Sequence, residues 1–216
     1  MNIFQSISTI KPTKRFDPKP VDDKVIGLIL HMATFAPSAG NIQEWEFVVV
    51  DDAELKKKLA VAALHQKHII DAPVVIVVCA DLEKTSLKYG KRGEIVYALQ
   101  DTAAATILMI VTANALGLGS DFVRAFDEEE VKDILMLPGY LRPVGIVPLG
   151  YPAEEVPSEM RIQFEKLTSV NRHNNKIEIE FKPIATYLEE FRKKYKKPET
   201  PKKKLTFNDF LKRLAE

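Results

Sequence analysis

Between Val21 and Phe35 the apolar residues Val25, Ile26, Ile29, Leu30 and Ala33 recur at near-helical spacing, which predicts an amphipathic helix. Asp22 or Asp23 can cap its start and Pro37 helps to end it. Trp45 to Val50 is rich in Val and aromatics and predicts a strand; Asp51 and Asp52 then cap a short helix through about Leu64. Ala72 to Ala80 is a continuous run of β-branched and small apolar residues, the pattern of a strand covered on both faces. A long helix is predicted from about Glu94 to Leu116, stopping at Gly117, where a left-handed cap costs little. Asp127 opens another helix, DEEEVKDILML, and Val144 to Gly150 gives a third strand. Pro143 and Pro148 put that strand near an edge or at a bulge.

The C-terminal part differs in character. Lys176 to Lys182 alternates, with Ile177, Ile179 and Phe181 on one face and Glu178 and Glu180 on the other, a half-buried strand that needs a partner. Ala185 to Tyr195 and Phe207 to Leu214 read as short amphipathic helices joined by a linker, KKPETPKKK. We divide the chain into a domain over 1–163 and an extension over 164–216. The order helix, strand, helix, strand, long helix, strand suggests an α/β sandwich around one sheet.

Composition narrows the classes. With 216 residues, 46% of them hydrophobic, the chain suits one soluble domain with a sizeable core. Lys plus Arg number 31 against 30 Asp plus Glu, so no net field points to nucleic acid, and the basic residues between Arg192 and Lys204 read as a solvated tail. Cys79 is the single cysteine, which excludes an intrachain disulfide and makes a reducing cytoplasm the expected compartment. It lies in an apolar run and reads as a buried hydrophobe. The first residues lack a basic start followed by an apolar core, so no signal peptide is expected. Thr102 to Ser120 carries no charge and approaches the length of a membrane span. Its threonines, Asn114 and small residues suit instead a helix buried in protein or at a subunit interface, so no membrane partner is expected.

Four segments carry chemistry. Ala36 to Asn41 is a loop of turn formers between a helix and a strand, in which Ser38 and Asn41 offer groups suited to a polyol or an amphoteric ring. Lys11 to Phe16 (KPTKRF) puts three cations just before a helix: a phosphate site, or an ordinary solvated stretch. Ala115 to Asp127 contains G-L-G-S-D-F, which lacks the third glycine of a dinucleotide fingerprint and follows a helix rather than a strand. The fourth, Val147 to Pro152, ends the last core strand. His65 and His68, three apart, have no neighbouring Cys, Asp or Glu to complete a metal set and read as surface histidines, as does His31.

In order, these segments resemble the signature of FMN-dependent nitroreductases. Pro37, Ser38, Asn41, Gln43 and Trp45 match the family's flavin-contacting loop, with Glu44 where a proline is usual. Lys11, Lys14 and Phe16 match its phosphate element with Lys for Arg, and a lysine binds phosphate as a point charge rather than a fork. Val123, Arg124 and Ala125 match the loop whose backbone amides face the flavin N5, and Arg161 is the candidate for a later cation at the phosphate. The cofactor residues so implied are Lys11, Thr13, Lys14, Pro37, Ser38, Asn41, Gln43, Val123, Arg124, Ala125 and Arg161.

The resemblance implies an α+β fold, a three-layer α/β/α sandwich with one mixed, mainly antiparallel sheet, assembled as an intertwined homodimer with FMN sites built from both subunits. The strand at Ile177 to Phe181 is then a candidate to extend the partner's sheet. It also implies a ping-pong oxidoreductase in which NADH or NADPH gives hydride to the flavin and a small acceptor (nitroaromatic, quinone or flavin) removes it. No side-chain acid or base is assigned, because the flavin carries the chemistry. Two rivals stand beside this: flavin-fragmenting or dehalogenating chemistry on the same fold, and a non-catalytic flavin-binding or interaction protein.

Overall fold

The computed structural model describes residues 3–155, 160–177, 186–187, 189–190 and 193, which fall in two compact units, Met1–Glu159 and Met160–Glu216. In the first unit the helices are α1 (Ile3–Ser8), α2 (Asp23–Ala33), α3 (Ala53–Ala62), α4 (His68–Asp71), α5 (Leu82–Arg92), α6 (Ala98–Ala115) and α7 (Glu128–Leu135). The strands are β1 (Trp45–Val50), β2 (Val74–Asp81), β3 (Gly119–Ser120) and β4 (Leu141–Gly150).

They form one sheet in the order β1-β2-β4-β3, every pairing antiparallel. Of the expected mixed, mainly antiparallel sheet, the described residues show the antiparallel part, with a parallel isolated bridge between Pro12 and Ser120. β2 is the central strand, buried along its whole length. Its Val74, Ile76 and Val78 join Ile29 and Ala33 of α2 and Ala105, Met109 and Ala113 of α6 in one core. Its Val75, Val77 and Cys79 join Leu59 of α3, Ile69 of α4 and Val131 of α7 in the other. Strand alternation thus feeds two helical layers, each buried aliphatic contributing about 1.5–3 kcal/mol.

Local chemistry explains the boundaries. Asp22, Asp52 and Asp127 cap α2, α3 and α7, accepting from Lys24, Leu55 and Glu130 amides at 2.8, 2.8 and 3.0 Å. α6 ends as expected at Gly117, φ 81°, with the Leu118 amide bonded back to Ala113 at 2.9 Å. β4 begins three residues earlier than expected, because Pro143 sits at a bulge where Val78 faces Gly145 and Cys79 faces Pro143. The long helix also starts earlier. α5 is capped by Asp81 and runs through a π turn, Gly93–Tyr97, into α6.

The run Leu82–Ala115 is long and apolar enough to span a membrane, but α6 is a core helix whose Thr102, Ala105, Thr106, Met109 and Ala113 are fully buried. The buried Thr102 and Thr106 hydroxyls bond to Ala98 O and Thr102 O at 2.6 and 2.8 Å, so polar side chains enter the core without an unmet donor.

In the second unit α8 (Phe164–Leu167) precedes a tight reversal in which Ser169 bridges to Lys176 and the Val170 amide bonds to Asn175 O at 2.7 Å. Most of the strand expected over 176–182, and of the helices over 185–195 and 207–214 with their linker, lies outside the described residues.

Candidate functional site

α6 organises the candidate site by holding a different segment at each end. At its start the Asp101 carboxylate accepts the Ala39 N–H at 2.6 Å, fastening the 36–43 loop. At its end the Asn114 amide donates to Ser6 O at 2.7 Å and Thr9 Oγ1 at 2.8 Å, fastening the N-terminal segment. The two anchors stand thirteen positions apart, roughly 20 Å along a helix.

The loop itself is tightly wound. Gly40, Asn41 and Gln43 take left-handed backbones (φ 58°, 58° and 55°), of which only the first two suit their residue type. Ser38 closes the turn: its Oγ accepts the Gln43 amide at 3.0 Å, and its carbonyl the Asn41 amide at 3.0 Å. Gln43 Nε2 donates to Asn41 Oδ1 at 3.1 Å. Pro37, Asn41 and Gln43 are exposed, so a strained loop presents amide groups outward, the arrangement that marks ligand-binding turns. α5 braces it, with Lys88 Nζ bonded to Gly40 O at 3.2 Å. Tyr89 packs edge-on to Tyr97, whose hydroxyl accepts from Arg92 Nε at 3.0 Å.

Directly beneath this loop lies Glu44, fully buried. Neither of its carboxylate oxygens accepts a hydrogen bond among the described residues. Burial, and after it the facing Asp101 carboxylate, push the Glu44 carboxyl up to about 7, while its own amide and Lys84 act against the rise. In the sequence Glu44 stands out only as the residue that replaces the family's usual proline. A charged residue directly before a buried strand was the available signal.

At the other end of α6, Lys11 and Thr13 border a cleft of about 400 Å³ with Asn114, Gly119, Ser120 and Glu154. The Thr13 amide bonds to Ser120 O at 2.9 Å, and a side chain at Gly119 would meet the Thr13 methyl carbon at 2.9 Å, so that glycine lets the segment lie close. Lys14 points elsewhere, into an ion pair with Asp121. Asp121 also lies 2.9 Å from Nε2 of His68, which is buried, correcting the surface reading of that residue; His65 and His31 are exposed as expected. Burial pushes the Asp121 carboxyl up, but His68 and Lys14 outweigh it and hold the group below its ordinary value. Among the described residues no group of three or more His, Cys, Asp or Glu is arranged to hold a metal.

The 123–125 loop is only partly available. Val123, expected to face the flavin through its amide, exchanges both backbone hydrogen bonds with Ile146 at 2.9 Å and is buried, so that amide bonds to β4 here. Arg124 and Ala125 are exposed, and their amides make no backbone hydrogen bond among the described residues. Arg161 is exposed and belongs to the second unit.

Comparison with known proteins extends this geometry. The sequence profile of the nitroreductase family matches residues 11–66 and 60–151. A Thermus thermophilus protein named NADH dehydrogenase is 35% identical over 181 residues, covering 71% of this chain and 88% of the relative. The FMN reductase [NAD(P)H] of Bacillus subtilis is 25% identical over 190 residues, covering 82% of this chain and 76% of its own. The structure of B. megaterium NfrA2 superposes with a TM-score of 0.76 at 25% identity, covering 81% of this chain and 76% of that one.

Proposed function

Since the chain belongs to the nitroreductase family and is an NAD(P)H-dependent oxidoreductase, we propose that two copies of it hold FMN and pass electrons from NADH or NADPH to a small acceptor such as a nitroaromatic, a quinone or a free flavin. The observation that carries this reading is the separation of the two half-sites along α6. The amide-rich loop and the cleft bordered by Lys11, Thr13 and Ser120, with Glu154 and Glu155 on its rim, are fastened to opposite ends of one helix, so a single ligand touching both kinds of group needs the loop of one copy and the cleft of another.

Two further features support a second copy. α6 is uncharged from Thr102 onward, yet Ile107 is 48% exposed on it. Leu28 and Met32 of α2, which packs against α6, are 44% and 38% exposed. Exposed apolar side chains on two packed helices are of the kind that a partner surface covers when they form one patch.

The residues fit the cofactor in kind. Lys11, with the Thr13 and Ser120 hydroxyls, would hold a phosphate by charge-assisted and neutral hydrogen bonds. Lys14 would serve only if it left Asp121. Ser38, Asn41 and Gln43 would meet the polyol chain and ring, and the Arg124 and Ala125 amides would donate to the ring edge. FMN, when bound, supplies the two-electron chemistry. The protein's part is to fix the ring's orientation with backbone groups and to keep solvent from it, so no side chain needs to act as acid or base.

The test is direct. Purified protein should carry or take up a yellow chromophore with the spectrum of oxidised flavin, lose the colour with NADH or NADPH, and regain it with an acceptor. Light scattering should return twice the chain mass of 24.4 kDa. A colourless preparation after incubation with FMN, or a monomer that still binds it, overturns the proposal.

A further inference from the structure

Two acids, Glu44 and Asp101, lie at the base of the 36–43 loop, one fully buried and one half-buried. Glu44 is 0% exposed at the head of β1 with neither carboxylate oxygen hydrogen-bonded among the described residues, and the half-buried Asp101 carboxylate of α6, which holds Ala39 of the same loop, is near enough to act on it. Two ionised carboxylates are both acceptors and cannot bond to each other. Asp101 already spends one oxygen on the Ala39 N–H. Around the pair, α5 contributes Lys84, whose ammonium is divided between Asp81 at 3.2 Å and Glu46 at 3.6 Å. No other charged or titratable group acts on Glu44 among the described residues. The remaining contact, the Asp81 amide on Glu44 O at 2.8 Å, concerns the backbone.

We propose that Glu44 and Asp101 share one proton and act as a positioning pair for the Ser38–Gln43 loop. With the proton in place, Glu44 donates to Asp101, and Asp101 stays aligned to hold Ala39. When the proton leaves to solvent, two like charges stand together in a dry place, and the cheapest relief is for Asp101 to turn outward and release the Ala39 anchor. The loop that carries the left-handed Gln43 then loses one of the contacts that hold its shape, leaving those from Ser38 and Lys88. The pair's existence is independent of any ligand; its importance for cofactor binding rests on the flavin reading given above.

Nuclear magnetic resonance on the full chain, labelled at side-chain carboxyls and backbone amides, tests the pair without cofactor. One carboxyl should titrate near neutrality, and the Ala39 amide should shift with the same midpoint. In Glu44→Gln, whose amide can still donate to Asp101, both signals should become flat over that range. Asp101→Asn should move the Glu44 step down toward ordinary carboxylates. A wild-type chain with no carboxyl titrating near neutrality, or an Ala39 amide indifferent to pH, overturns the proposal.

FMN titration followed by flavin fluorescence supplies the second arm. Affinity of the wild type should fall roughly threefold to tenfold between about pH 6 and pH 8, and that of Glu44→Gln should change by less than about twofold. Parallel curves for the two proteins also overturn it. A chain that binds no FMN at any pH defeats the flavin reading, while the resonance data still decide the pair.

Discussion

Lys14 Nζ pairs with Asp121 Oδ2 across the turn that follows α6, and the same carboxylate oxygen lies 2.9 Å from His68 Nε2. A cation expected to meet phosphate is thus already answered by an acid. Asp121→Asn should lower stability at neutral pH by about 1–3 kcal/mol in urea denaturation. Most of that loss belongs to the buried His68 side, since Lys14 is half exposed and screened. Because the Asp121 carboxyl is held below its ordinary value, its contribution is full above about pH 4 and disappears as pH falls through the lower folded value. The variant should lack that acid-side loss.

The two lysines should differ as cofactor ligands. Lys11 borders the cleft and Lys14 does not. Lys11→Ala should weaken FMN binding by roughly tenfold, and Lys14→Ala by less than about threefold, in a fluorescence titration. The reverse order would place the phosphate on the Asp121 side.

Gly119 should resist enlargement. Its missing side chain makes room for Thr13, which is 3% exposed and cannot swing away. Gly119→Ala should cost about 1–3 kcal/mol, read as a lowered Tm, and Thr13→Ala in the same chain should restore part of it. An additive pair would mean that the two positions do not press on each other.

Glu44 sets a slope in stability against pH. Its folded value of about 7 lies above the ordinary 4.5, so the folded chain holds the extra proton. The contribution is complete below about pH 4.5 and is lost as pH rises through 7, a decline of a few kcal/mol at most. Denaturation across that range should show the decline in the wild type and a flatter line in Glu44→Gln.

Cys79 should be inert. Burial, with Glu46 nearby, pushes its thiol up to about 12, and the side chain has no exposed surface. Mass spectrometry after maleimide treatment should find no adduct on native protein and complete reaction once it is unfolded.

The legible parts of the fold were those governed by short-range pattern. The Val74–Asp81 strand announced itself through uninterrupted apolar residues, and α6 through its missing charges and Gly117. α5 was not legible, because LEKTSLKYGKR is polar enough to read as a loop and is interrupted at Gly90, φ 55°. Misplacing His68 had a different cause. Its burial depends on Asp121, 53 residues further along, and no local window contains both. Of the candidate site, the loop residues were found by motif, but the use of the Val123 amide by Ile146 is a matter of tertiary pairing alone.

α6 also acts as a gauge. One inserted residue would lengthen it by about 1.5 Å and turn everything downstream by about 100°, taking Met109 and Ala113 off the sheet. Spacing between its two anchors can therefore grow or shrink only by near-whole turns of three or four residues, about 4.5–6 Å at a time. The distance that α6 sets between the Ala39 and Thr9 anchors is therefore graduated, and drift in the helix cannot tune it continuously.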